Sequence, residues 1–143
     1  MILSQQDILP GCRLVDLPLR GDERGSLIPI EQGDELPFAI ARTYFIVGTR
    51  PGVTRGLHAH RKLSQLLVAL NGRCRIVLDD GTKRVELWLD RPDRGLLISG
   101  LVWREMHDFS SECVLGVLAD HRYDPADYIR DYHKFLTAAR DDR

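Results

Sequence analysis

The chain has 143 residues, a formal net charge of −1, and 43% hydrophobic and 29% charged residues. That length suits one domain whose core can fold without disulfide or metal staples. The near-zero charge offers no global field for nucleic acid or an anionic membrane, and no apolar run approaches the ~20 residues of a bilayer span.

Met1-Ile2-Leu3-Ser4-Gln5-Gln6-Asp7 has neither the basic start nor the long apolar run of a secretory signal. Cys12, Cys74 and Cys113 show no CxxC spacing. The expectation is a cytoplasmic chain with three free thiols.

Short apolar or alternating runs at 24–31, 40–48, 54–60, 64–70, 73–78, 83–89 and 113–119 are bounded by turn residues and predict strands. Within 83–89, Val85, Leu87 and Leu89 share one face and Glu86 and Trp88 the other, as in a half-buried strand. Asn71-Gly72 and Asp80-Gly81 supply the positive φ angles that tight hairpins need. The tail changes period. Asp124 offers an N-cap, Pro125 a first helical position and Asp127 a negative charge in the first turn. Tyr128, Ile129, Tyr132, Phe135 and Leu136 then recur at helical spacing, which predicts a helix over about 125–140 packed on the sheet. No repeat or linker divides the chain. The expected fold is all-β, a single domain over 1–143 forming an antiparallel sandwich or barrel closed by one C-terminal helix.

Residues suited to chemistry concentrate between Gly52 and Gly72. His58 and His60 stand two apart on a predicted strand, so both leave one face while Ala59 leaves the other. Gln65 follows at the start of the next strand. This order resembles the first cupin motif, except that Gln65 stands where an acidic residue belongs. The second such motif falls near 95–105, with Arg104 in roughly the place of the missing histidine ligand. Catalytic metal sites take three or more protein ligands and leave a position open. A neutral amide and a permanent cation replace them poorly, and Glu105 lies on the opposite side of its strand from Arg104. No metal is therefore expected. Unliganded imidazoles, with a pKa near 6.5, suit proton transfer at neutral pH. Arg55 and Arg104 are candidates for holding an anionic group such as phosphate. Tyr44, on the strand before the loop leading to His58, adds a candidate phenol to the cavity.

Arg55-Gly56-Leu57-His58-Ala59-His60 and Leu63-Ser64-Gln65-Leu66-Leu67 together resemble the sugar-nucleotide 3,4-ketoisomerases, the WxcM-like cupins. Arg24-Gly25-Ser26-Leu27, Trp103-Arg104-Glu105-Met106-His107-Asp108-Phe109 and Asp127-Tyr128-Ile129-Arg130-Asp131-Tyr132 agree in the same order along nearly the whole chain. Ser99-Gly100-Leu101 departs from the Pro-Pro-Gly-like turn of many such proteins.

The resemblance implies a cupin (jelly-roll) β-barrel and a homodimer that exchanges N-terminal strands around 24–31. It also implies conversion of dTDP-4-keto-6-deoxyglucose to a dTDP-3-keto-6-deoxyhexose in deoxysugar or aminosugar biosynthesis, a net proton shift for which no cofactor is expected. His60, His58 and Tyr44 become the expected catalytic set, and Arg55, Arg104, Gln65, Arg42 and Trp103 the expected substrate contacts. His60 is the expected base at C3 and His58 the proton relay, with the reverse assignment open. Three other readings stay open: a 3,5-epimerase, a metal-dependent cupin such as an iron dioxygenase, and a sugar-nucleotide-binding module without turnover.

Overall fold

The structure is a computed structural model that describes residues 5–142. In chain order the strands are β1 (Gln5–Leu9), β2 (Cys12–Asp16), β3 (Arg20–Asp22), β4 (Gly25–Leu27), β5 (Arg42–Val47), β6 (Arg55–His60) and β7 (Gln65–Asn71). They continue with β8 (Cys74–Asp79), β9 (Arg84–Leu89), β10 (Arg94–Ile98), β11 (Trp103–His107), β12 (Val114–Ala119) and β13 (Tyr128–Ile129), and one helix follows, α1 (Tyr132–Asp141). Six strands form a sheet in the order β1-β2-β10-β7-β12-β5, five form a second in the order β13-β6-β11-β8-β9, and β3 and β4 pair alone. The two large sheets bury Leu14, Leu67, Leu96 and Val117 of the first against Ile76, Leu78, Leu89 and Met106 of the second. The result is a cupin-like jelly-roll sandwich. The expected barrel is not continuous, because among the described residues no ladder joins the edges of one sheet to those of the other.

Turn chemistry explains two of the connections. Asp80-Gly81 closes the β8–β9 hairpin beyond the Asp79↔Arg84 pair, with Gly81 at φ 96°. Asp80 Oδ1 accepts from the backbone N–H of Thr82 and of Lys83, each at 2.8 Å. Asn71-Gly72, in contrast, makes no hairpin, because β7 and β8 lie in different sheets. Gly72 is left-handed there (φ 65°), and a Cβ would collide with Ser110 and Cys113 as the chain crosses the sandwich. In β9 the expected alternation holds, with Leu89 buried and Trp88 43% exposed.

The outer faces of the sheets are covered differently. Residues following the exposed β3–β4 hairpin lay Ile28, Ile30, Leu36 and Phe38 over Val15, Leu66, Val68 and Leu97 of the six-stranded sheet. The five-stranded sheet receives α1 through Ala59, Trp103, Ile129, Phe135 and Ala139.

This helix is shorter than the expected 125–140. Asp124 caps only a 3-10 turn at Pro125–Asp127, its Oδ1 accepting from the Ala126 N–H at 3.0 Å. Tyr128 and Ile129 then extend to pair with His60 and Ala59 of β6. The helix begins after a second cap, Asp131, whose Oδ1 accepts from the Lys134 N–H at 3.0 Å. Two capping aspartates thus stand in one stretch, and strand pairing to β6 occupies the space between them.

Candidate active site

The site is built on β6, which carries a bulge. His58 pairs with Arg104 and Gly56 with Glu105, leaving Leu57 opposite no residue of β11. Gly56 (φ 81°) and Leu57 (φ 58°) are both left-handed. A Cβ on Gly56 would lie 3.0 Å from the Arg104 carbonyl oxygen and 3.3 Å from Glu105 Cα, so glycine is what the close strand approach accepts. The extra residue also changes which side chains share a face. On a regular strand Arg55 and His58, three apart, would point oppositely. Here Arg55 and His58 line one cavity of about 440 Å³ with Tyr44, Tyr123, Tyr128 and Arg130.

The two imidazoles meet edge to face, ring centroids 4.8 Å apart. His58 Nδ1 lies 3.0 Å from the Gly56 carbonyl oxygen, and His60 Nδ1 lies 3.0 Å from Asp127 Oδ2. Each partner only accepts, so each Nδ1 carries the proton and each Nε2 presents a lone pair. Asp127 is itself held by the backbone N–H groups of Lys62 (2.7 Å, to Oδ1) and Leu63 (3.3 Å, to Oδ2). His60 is 1% exposed, and its Nε2 is buried without a hydrogen-bond partner. An orphaned buried acceptor is uncommon and marks a place where a proton or ligand atom belongs. The Tyr128 ring packs on both imidazoles, at 4.3 Å from His60 and 4.9 Å from His58, with the Arg130 guanidinium 4.3 Å from its own centre. Arg42, Tyr123 and Tyr128 also line a second cavity, about 420 Å³, which contains His60 and Asp127.

Arg104 lies beneath this pair with 0% exposure. Its Nη1 donates to Gln65 Oε1 at 2.6 Å, and its Nε and Nη2 donate to the Val102 carbonyl at 3.3 and 3.0 Å. Burial lowers its pKa to about 10, so it is still a cation at neutral pH. Burial first, and then the Arg104 charge, brings His58 down to about 4. The same two causes, with His58 adding to them, depress His60 against the opposing pull of Asp127. Both imidazoles are therefore neutral at pH 7 and able to accept a proton.

Of the expected site residues, His58, His60, Tyr44, Arg55 and Arg42 converge on the two cavities. Arg42 stacks over Tyr44 at 4.6 Å and over Tyr123 at 5.6 Å. Three expected substrate contacts are placed otherwise. Arg104 and Gln65 are buried and bonded to each other, without surface for a diphosphate. Trp103 points to the outer face, where it packs on Tyr132 (5.2 Å) and Phe135 (5.9 Å) and donates Nε1–H to Glu105 Oε2 at 2.9 Å. Strand alternation from Arg104 requires that outward direction.

Asp127, Tyr128 and Arg130 were not among the expected site residues, because helical periodicity absorbed the segment that holds them. The signal was a second capping residue, Asp131, directly before Tyr132. Among the described residues, no group of three His, Cys, Asp or Glu side chains is placed to hold a metal ion.

Residues 10–140 match the family described as WxcM-like, C-terminal (FdtA). The chain is 54% identical over 114 residues to a TDP-4-oxo-6-deoxy-alpha-D-glucose-3,4-oxoisomerase from Aneurinibacillus thermoaerophilus, covering 80% of this chain and 82% of that protein. It resembles the crystal structure of a mutant of the 3,4-ketoisomerase QdtA from Thermoanaerobacterium thermosaccharolyticum in complex with TDP-4-keto-6-deoxyglucose. That match has a TM-score of 0.90 at 40% identity, covering 94% of this chain and 97% of that one. The WlaRB TDP-quinovose 3,4-ketoisomerase from Campylobacter jejuni matches with a TM-score of 0.87 at 45% identity, covering 90% and 99%.

Proposed function

This chain belongs to the WxcM-like, C-terminal family and is an isomerase of the 3,4-ketoisomerase type, and we propose that it converts dTDP-4-keto-6-deoxyglucose to a dTDP-3-keto-6-deoxyhexose. The observation that carries this reading is the imidazole pair itself, two neutral rings 4.8 Å apart with both Nδ1 atoms engaged and both Nε2 atoms left as bases.

The C4 carbonyl acidifies the hydrogen on C3. His60 Nε2 takes that proton, the C–H electron pair becomes the C3–C4 double bond, and the former carbonyl oxygen carries the charge of an enediolate. A proton is then delivered to C4 while the C3 hydroxyl gives one up, leaving a ketone at C3 and a hydroxyl at C4. His58 relays protons to and from the sugar oxygens. The orphaned Nε2 supports His60 as the base. Protons balance and no electrons leave, so the reaction itself calls for no redox cofactor. Arg55 and Arg42, at the cavities, supply charge for the diphosphate.

Incubation with dTDP-4-keto-6-deoxyglucose in D₂O, followed by NMR of the product, tests the reading. The carbonyl is expected at C3, with solvent deuterium at C4. A carbonyl that stays at C4 while C3 and C5 take up deuterium makes the chain an epimerase and overturns the proposal.

Turnover is also expected to survive exhaustive chelation, since two histidines beside an amide and a guanidinium form a poor donor set. Loss that iron or zinc restores would refute metal independence. The chain acts as a homodimer in the cytoplasm on this reading. Support for the dimer comes from the isolated β3–β4 hairpin with Leu27 64% exposed, and from Phe45 and Val47 exposed on edge strand β5. No helix among the described residues is long and apolar enough to cross a membrane.

A further inference from the structure

We propose that Arg104 is a positioning residue that acts on the sugar through Gln65 and Tyr44, fixing the Tyr44 hydroxyl so that its proton is donated into the cavity. The proposal rests on the ketoisomerase reading for the identity of the acceptor, a sugar oxygen, and on hydrogen-bond geometry for the rest.

A guanidinium has donors and no acceptor. Arg104 Nη1, 2.6 Å from the Gln65 side chain, therefore compels the amide to turn its oxygen inward. The amide nitrogen is left facing Tyr44, and donates to the phenolic oxygen at 3.1 Å. A hydroxyl that accepts from Gln65 sends its own proton elsewhere. The Arg42 guanidinium lies over the Tyr44 ring, 4.6 Å from its centre, and cannot accept a proton either. The phenol proton is thus directed at the cavity that holds Tyr44, His58 and Arg55. A donor fixed there meets the oxygen on which negative charge develops as C3–H is broken, where preorganised hydrogen bonds stabilise most.

The polarity of the chain Arg104 to Gln65 to Tyr44 depends on residue 65 being an amide. A carboxylate there would accept from Arg104 and also from the tyrosine hydroxyl, drawing the proton away from the sugar. This gives a reason for Gln65 where cupins usually carry an acid. It also explains why a fully buried arginine is present with no carboxylate hydrogen-bonded to it. The same cation helps to hold both imidazoles neutral, so one buried charge serves donor and base together.

The test is a double-mutant cycle on the full chain with Gln65→Glu, Tyr44→Phe and both together. Gln65→Glu is nearly isosteric and keeps a partner for Arg104, so it is expected to fold and to bind dTDP with unchanged affinity by calorimetry. Each single variant is expected to lose about 10²-fold in kcat with little change in KM. The double variant is expected to be no slower than Tyr44→Phe alone, because Gln65 acts through that hydroxyl. Losses that multiply in the double variant would overturn the proposal, as would Tyr44→Phe with normal kcat. The ketoisomerase reading is tested separately, by product NMR on the unmodified chain, and would stand through either failure.

Discussion

The two ends of β6 solve one problem by different means. At the bulged end, His58 is oriented by the chain that carries it: Nδ1 donates to the carbonyl of Gly56, two residues back, across left-handed Leu57. At the other end, His60 is oriented by a carboxylate from far along the sequence, Asp127, which arrives because β13 pairs with β6. A backbone carbonyl sets the tautomer and adds no full charge. A carboxylate sets the tautomer and also favours the imidazolium that forms when a proton is taken. The lesson is a division of labour. On the proposed mechanism the ring with the anion behind it gains the proton, and the ring with the carbonyl behind it passes one.

The largest expected effect separates the rings directly. His60→Asn should lose about 10²–10⁴-fold in turnover and should not exchange the C3 hydrogen with D₂O, while calorimetry still finds dTDP bound. His58→Asn should slow turnover yet keep C3 exchange. Exchange by the His60 variant, and none by the His58 variant, would reverse the roles assigned to the two ends.

Asp127→Asn should come close behind, at the lower end of the general-base range, about 10²-fold in kcat. The Lys62 N–H holds the oxygen of that side chain at 2.7 Å, so an asparagine turns its NH₂ toward His60. Nδ1 then accepts, and Nε2 carries the proton it should be free to take. ¹⁵N NMR of the imidazole reads the tautomer. An unchanged tautomer with unchanged kcat would show that the carboxylate is not what distinguishes this end.

Gly56→Ala tests the bulged end. A Cβ at φ 81°, 3.0 Å from the Arg104 carbonyl oxygen, strains β6 against β11 and should cost about 1–3 kcal/mol in stability. Thermal unfolding should show a lower Tm, and kcat should fall because His58 loses its acceptor geometry. A variant as stable and active as the parent would mean that the bulge does not orient His58.

The smallest effect concerns pH and stability. Folded His58 titrates near 4, below the ordinary 6.5 that applies in the unfolded chain. Between those values the unfolded chain binds more protons, so stability should decline as pH falls from about 6.5 to about 4 and be insensitive to this group above 6.5. His58→Asn should flatten part of the decline in Tm over that window. An identical slope in the variant would place the titrating group elsewhere.

Strand after strand was legible in the sequence wherever burial alternated, as in β9, or where a turn had to be left-handed, as at Asp80-Gly81. The histidine pair was legible because a spacing of two fixes a shared face. Sheet membership was less so: Asn71-Gly72 has the composition of a hairpin, but nothing local states that β7 and β8 belong to different sheets. Nor does spacing alone place Arg55 beside His58, since only the bulge brings them to one cavity. Trp103 and Arg104 are neighbours on β11, and strand alternation sends one to the outer face and the other inward. Asp127 was hidden by a stronger pattern, the helical spacing of the aromatics around it, which tertiary pairing overrode.

The pairing of β13 with β6 also ties His60 to a segment that is made after the other sandwich strands. When translation has reached Ala119, every strand of the six-stranded sheet and all but β13 of the other have been made, and most of the buried core is in hand. His60 is present by then, but its carboxylate has yet to be joined to the chain. The two partners stand 67 residues apart in sequence, with every strand of the six-stranded sheet complete before the second is reached. The contact is held in place by the C-terminal segment, through the β13–β6 pairing and the packing of α1 over Trp103. A chain cut just upstream of Asp127 would keep every residue of the main core cluster and lose the carboxylate that His60 meets.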